Sequence, residues 1–289
     1  MPHKSLKICC QKHNAHKIGV FRRSSDGRYI QRYRCKSCGK SFSQARFDPA
    51  YYQKKRHLNF SLMMLLSSAV SMRRSALILN LSRKTVARKL IYLAKQARQK
   101  LEKERTSFAH IEAIQFDELQ TIEHTTCKPL AVGVIVSEKT RKILGFDVAK
   151  MPATGHLAAI SRKKYGKRPD QRYQSMKALF ANLSVYLPSN IAIISDQCSF
   201  YNSIVSEHFP KARYLQVKGK KGSIYAQGEL KKTAYDPLFY INHSLAMLRA
   251  NINRLIRKSW CTTKKIPRLL DHLAIYVWIH NSRLTPQAH

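Results

Sequence analysis

Two aspartates stand where the chain could do hard-metal chemistry. Asp117 closes the run Ile111-Glu-Ala-Ile-Gln-Phe116, and Asp196 follows Ser195 at the end of the short apolar run Ile191-Ala-Ile-Ile194. Both runs read as strands. Alone, an aspartate at a strand end is most often a turn or helix-cap residue. Two that lie side by side repel unless cations hold them, and carboxylate oxygens select Mg²⁺ or Mn²⁺ over softer ions. A pair of such ions can activate an attacking hydroxyl and stabilise the leaving oxygen of a phosphodiester. Glu118, next to Asp117, falls on the opposite strand face and is expected to be exposed or supporting.

A second set of residues suits a soft metal. Cys35-Lys-Ser-Cys38-Gly39 is a C-x-x-C knuckle whose glycine permits the positive φ that a thiolate-binding turn needs. Upstream, Cys9, Cys10 and His13 compete for two places. The spacing predicts zinc on Cys10, His13, Cys35 and Cys38, with Cys9 as substitute; the competing reading is a set of reduced, metal-free cysteines. Gly19 to Arg34 reads as short strands around a turn at Ser25, Asp26 and Gly27, which makes residues 1–46 a zinc ribbon. A segment so small has little core, so a metal would supply much of its folding energy. The remaining cysteines, Cys127, Cys198 and Cys261, lack ligand spacing and read as structural. This usage does not suggest an extracellular disulfide scaffold, and points to a reduced, cytoplasmic compartment.

These groups need elements to position them. Leu58, Leu62, Leu65, Leu66, Ala69 and Val70 recur at helical spacing; a shorter helix covers Ser75 to Leu79; Asn80-Leu81-Ser82 makes a turn, with Ser82 as N-cap. The next helix buries Val86, Leu90, Leu93 and Ala94, and projects Arg83, Lys84, Thr85, Arg88 and Lys89. Helix, short turn and basic helix within residues 47–108 is a helix-turn-helix, the arrangement that reaches into a major groove; a solvated basic helix would look alike. In residues 109–289, three strands (Ile111–Phe116, Leu130–Val136, Lys142–Val148) precede a helix over Gln174–Tyr186, the strand at Ile191, a strand over Arg213–Val217, and a long helix from Leu238 carrying Leu245, Leu248, Ile252, Leu255 and Ile256. That order belongs to a ribonuclease H-like fold, a mixed sheet flanked by helices, in which acids on the first and fourth strands become neighbours. The fold class is therefore multidomain α/β: zinc ribbon, all-α helix-turn-helix, and ribonuclease H-like domain.

Charge names the partner. A net charge of +37 is hard to tolerate without a polyanion, and nucleic acid, which releases counterions on binding, fits better than an anionic membrane. Residues 1–110 hold 26 of the 53 basic residues but only 4 of the 16 acidic ones, which places a binding module ahead of a domain that uses carboxylates. Arg249, Arg254, Arg257 and Lys258 on the last helix, and the loops Arg162–Arg168 and Lys218–Gly222, extend the basic track. No stretch reaches the roughly 18 apolar residues that a membrane span needs, and no apolar run follows Lys4 and Lys7 to make a secretory signal. Trp260 and Trp278 are read as core residues ahead of base-stacking ones.

Taken in order, Arg32-Tyr-Arg-Cys-Lys-Ser-Cys-Gly-Lys-Ser-Phe42, Leu81-Ser-Arg-Lys-Thr-Val86, Phe116-Asp-Glu118, Ser195-Asp196 with Tyr201, and Leu248-Arg-Ala-Asn-Ile-Asn-Arg-Leu-Ile-Arg-Lys-Ser259 carry a likeness over nearly the whole chain. It resembles bacterial insertion-sequence transposases of the DDE class. The resemblance implies Mg²⁺-dependent cleavage and transfer of DNA strands at the ends of a mobile element and on target DNA. It also implies a homodimer or larger assembly on DNA, at the nucleoid. Asp117 and Asp196 match the first two catalytic acids. Such families place a Glu on the helix before the Leu-Arg stretch; here Tyr240-Ile-Asn-His-Ser-Leu245 holds no acid. His243 is the first candidate for that place and Glu229 the second; Asp236 reads as a helix cap, and outright loss of the ligand leaves a DNA-binding relic or regulator.

Overall fold

The computed structural model describes residues 15–24, 26–51, 53–218, 236–256 and 260–284, in two compact units, Met1–Ser61 and Leu62–His289.

In the first unit β1 (Ala15–Arg22), β2 (Tyr29–Cys35) and β3 (Ser41–Ser43) form an antiparallel sheet in that order. The β1–β2 turn is closed by the Arg23 N–H to the Arg28 carbonyl at 2.8 Å, by Gly27 at φ +69°, and by an Arg23–Asp26 ion pair. Tyr33 stacks on Phe42 across β2 and β3 with ring centres 5.6 Å apart. Every residue of β1 is exposed, and among the described residues of this unit only Cys35 and Ala45 are buried hydrophobics. So thin a core contributes little stability by itself.

The second unit begins with helices. α1 (Asn59–Leu66) enters it, followed by α2 (Met72–Ile78) and α3 (Arg83–Glu104). Ser71 and Ser82 cap α2 and α3, accepting the Arg74 N–H at 3.3 Å and the Thr85 N–H at 3.2 Å. Asn80, at φ +47°, turns the chain between them. Leu62, Leu66, Val86, Leu90 and Leu93 share a core with Ala274, Ile275 and Ile279 of the last helix, α8 (Ile266–Leu284). Buried Asp271 clamps α3 to α8, pairing with Arg98 at 2.7 Å and Arg268 at 3.0 Å.

Behind them lies a five-stranded mixed sheet built from β4 (Ala113–Glu123), β5 (Thr125–Ser137), β6 (Ile143–Lys150), β7 (Ala192–Asp196) and β8 (Arg213–Val217). The strand order is β6-β5-β4-β7-β8, with β4, β5 and β6 antiparallel and β7 and β8 parallel to β4. This topology is compatible with a ribonuclease H-like core. α4 (Leu157–Tyr165), α5 (Arg172–Ser184), α6 (Tyr201–His208) and α7 (Phe239–Asn251) complete the unit. One sheet face packs Ile114, Phe116 and Ile135 against Met176 and Phe180 of α5 and Ile204 of α6. The other packs Leu119, Val132, Val134 and Val136 against Ile241 and Leu248 of α7 and Leu273 of α8. Asn281 of α8 ties down edge strand β6, bonding both backbone groups of Ile143 at 2.9 Å.

The structure departs from the sequence reading in several elements: the helix expected to carry Ala69 and Val70 ends at Leu66, with Ala69 at φ +60°, and β4 runs past Phe116 to Glu123. The helix from Leu238 stops at Asn251, followed by a single 3₁₀ turn, Asn253–Leu255. Helix α8 has no counterpart among the expected elements. Arg162 to Tyr165 lie in α4 rather than in a loop, which starts only at Gly166, φ +74°.

Candidate active site

β4 owes its length to β5, which pairs with it from Ile114↔Ser137 to Ile122↔Pro129 and carries the strand straight past Asp117. On its other side β4 runs parallel to β7, with Phe116 opposite Ser195 as the last pair. The next residue on each strand is the acid. Asp117 and Asp196 thus occupy matched positions on neighbouring strands, which lie about 4.8 Å apart in any sheet. Alternation sends both to the face that α7 covers, since Gln115 and Leu119 of β4 and Ile194 of β7 pack on that side.

A buried glutamine holds α7 there. Gln115, with no exposed surface, donates to the Pro237 carbonyl at 3.0 Å and accepts the Ile241 N–H at 3.1 Å. At the other end of α7, Arg249 reaches the Gln120 carbonyl at 3.5 Å and lends positive charge to Asp117. Sequence reasoning misses Gln115. The signal it offers is a polar residue in an apolar strand, two positions before an acid on the same face.

The electrostatics of the acids follow from crowding. Burial, and then the charge of Asp196, push the Asp117 carboxyl up to about 6, against the pull of the Glu118 N–H, which it accepts at 2.6 Å, and of Arg249. Burial also raises Asp196, against a hydrogen bond from the Cys198 backbone. Asp196 Oδ1 is buried and has no hydrogen-bond partner. Such an orphan is costly unless something positive meets it. Glu118 points to the opposite face; burial raises it to about 7, and Arg172 stands 3.7 Å away. Tyr201, opening α6, packs its ring 4.6 Å from Phe116 in the core on the opposite sheet face.

The other residues singled out from the sequence scatter. His243, on α7, is held against Arg141, 3.5 Å from Nη1 to Nε2, beside His280; burial and Arg141 lower its basicity. Among the described residues it does not join the two aspartates in a three-ligand group. Asp236 serves the entry to α7, accepting the Leu238 N–H and the Asn242 amide, each at 3.0 Å. Arg83, Lys84 and Arg88 are exposed along α3, whereas Thr85 bonds the Ser82 hydroxyl at 2.9 Å. Lys89 is buried, which lowers its basicity and keeps it off the solvent face where the helix reading put it. Arg254 is half-buried in the 3₁₀ turn, 3.4 Å from the Met72 sulfur. Cys35 is buried and Cys38 exposed in a turn closed by Gly39 N–H to the Cys35 carbonyl at 2.9 Å, with Gly39 at φ +68°. Cys9, Cys10, His13, Glu229, Arg257 and Lys258 lie outside the described residues. Trp278 packs with the α3–α8 core, but Trp260 is 99% exposed, which overturns the core reading for it.

No protein-family model matches the chain, and no curated protein matches it. Among solved structures, a pre-cleavage Mos1 transpososome is similar over 80% of each chain at 12% identity, with a TM-score of 0.21. At that level the likeness carries no functional argument, which leaves function to the chain's own residues. Among the described residues no helix is long and apolar enough to cross a membrane.

Proposed function

We propose that the chain is a transposase: it grips DNA through its basic N-terminal third and cleaves and joins strands at a carboxylate site. The observation that carries this reading is the matched placement of Asp117 and Asp196 on adjacent parallel strands, with Asp196 Oδ1 unsatisfied. A hard divalent cation fits that donor set, because it would both satisfy the orphan oxygen and cancel the repulsion that raises Asp117. When bound, Mg²⁺ or Mn²⁺ supplies Lewis-acid activation of water and of a freed 3′-hydroxyl, and charge stabilisation at the phosphodiester. Asp117 and Asp196 would hold it, and Arg249, already at the rim, would meet a non-bridging phosphate oxygen. Little covalent work falls to the protein; positioning and charge do the rest.

The third ligand stays between His243, which would have to leave Arg141 to serve, and Glu229, which lies outside the described residues. α2, its turn and α3 act as the helix-turn-helix, with Arg83, Lys84 and Arg88 towards phosphates or base edges. Cys35 and Cys38 hold zinc with Cys10 and His13, and this ion would supply the stability that the first unit's thin core lacks. Transposition joins two ends, so the working form is a homodimer or larger assembly on DNA.

A second reading draws on the same placement of His243: a relic that binds element ends without cutting them. The test is nicking of a labelled duplex carrying the element's own end, with Mg²⁺, Mn²⁺ or chelator. The transposase reading requires metal-dependent nicks, abolished by Asp117→Asn or Asp196→Asn while duplex binding persists. Binding without nicks under any divalent ion would leave the relic.

A further inference from the structure

We infer that Trp260 and the groove beside it form a subsite for an unpaired nucleotide of a DNA strand. A fully exposed tryptophan is unusual, because its large apolar surface normally finds a core. Trp260 is 99% exposed, yet Thr263, three residues on, is buried at 0% exposure. The Thr263 carbonyl accepts the His124 N–H at 2.9 Å, and Thr263 bridges to Glu123 at the end of β4. The indole therefore stands in solvent three residues before the anchored Thr263.

Next to it runs an open groove of about 490 Å³, within the size range of small-ligand sites. Ile256 and Thr262, which flank Trp260 in the chain, line it, together with Gln120, Leu157, Arg249 and Arg254. Arg249 is the side chain that also lends charge to Asp117, so the groove and the acidic site share a cation. The stretch of strand from Asp117 to Glu123 spans about 20 Å at the usual rise. Guanidinium groups, hydroxyls and one projecting indole are the combination that binds single strands: cations follow the phosphates while the ring stacks on a base. An anionic lipid surface would also take an exposed tryptophan, but a strand can thread the groove while a headgroup plane only covers it.

The choice of DNA as probe rests on the function proposed above; the binding itself needs neither the aspartates nor a divalent ion. The test is done in chelator with dye-labelled oligo(dT) and with a blunt duplex of equal length, on the full chain and on the Asp117→Asn background. Binding is read by anisotropy. Emission from Trp260 is read as the difference between wild type and Trp260→Phe. The expected result is quenching of that emission by oligo(dT). With it comes a loss of oligo(dT) affinity in Trp260→Ala of roughly tenfold, within the range for removing one stacked base. Trp260→Phe keeps most of the affinity, and duplex binding is unchanged. Saturable oligo(dT) binding without a change in Trp260 emission would overturn the inference, as would equal loss on strand and duplex. A response to phosphatidylglycerol vesicles but not to oligo(dT) would overturn it too. Failure of DNA nicking with these results intact would remove the transposase reading and leave the subsite standing.

Discussion

The two faces of β4 obey different rules. On one, Ile114 and Phe116 join an aromatic core in which Phe116 lies 4.8 Å from Phe180 and 4.6 Å from Tyr201. On the other, Gln115 and Asp117 interrupt the apolar pattern; one is fully satisfied, the other is crowded against Asp196. The first face stabilises the fold by burial. The second spends some of that stability to hold two carboxylates together where solvent is scarce. A strand with period-two alternation can do both because neighbouring side chains never share a face.

That contrast can be broken or sharpened by substitution. The largest effect belongs to the packing face: Phe116→Ala should destabilise the chain by about 3–5 kcal/mol, read from denaturant unfolding. On the acidic face, Asp196→Asn should weaken Mn²⁺ binding by at least about a hundredfold, the upper end of the loss seen for groups that merely support metal ligands. Asp117→Asn should stabilise the metal-free protein at pH 8. The sign follows from the raised carboxyl: folded Asp117 holds its proton from about pH 4 to about 6, so its contribution to stability is present below the unfolded pKa and is lost as pH rises through 6. Removing the charge should recover as much as about 2 kcal/mol at pH 8 and nothing at pH 3, measured by melting across that range. Glu118→Gln tests the boundary between the faces. Glu118 points away from the site and pairs with Arg172, so Mn²⁺ affinity should change by less than about threefold, far below the loss for a direct ligand.

Much of this is legible in the sequence, for physical reasons that also explain the gaps. A short apolar run marks β7, and β8, which mixes polar and apolar residues, has the expected limits, Arg213–Val217. The Ser82 cap and the Asn80 turn are readable because local hydrogen bonding and a positive φ fix them. Strand β4 extends well past the expected Phe116 because β5 pairs along it; a polar pair such as Asp117-Glu118 looks like a strand end only when the partner strand is ignored. Helix α8, wedged between α3 and the sheet, goes unread. Every residue from Leu273 to Val277 is buried, although the helix keeps a polar face, so the pattern is there to be read. Position along a helix singles out His243, but the rotation of α7, set by Gln115, turns it to Arg141 instead. Residue type alone assigns Trp260 to a core, but the structure leaves it 99% exposed.

The joint grip of Asp117 and Asp196 on one hard cation is the claim on which the rest depends. Titration of the metal-free protein with Mn²⁺, followed by calorimetry or by the paramagnetic signal of the free ion, measures it directly. The account predicts saturable binding at pH 8 that weakens as pH falls below about 6 and is lost in either Asp117→Asn or Asp196→Asn. Binding that survives in both single variants, or that is absent from the wild type, would contradict it.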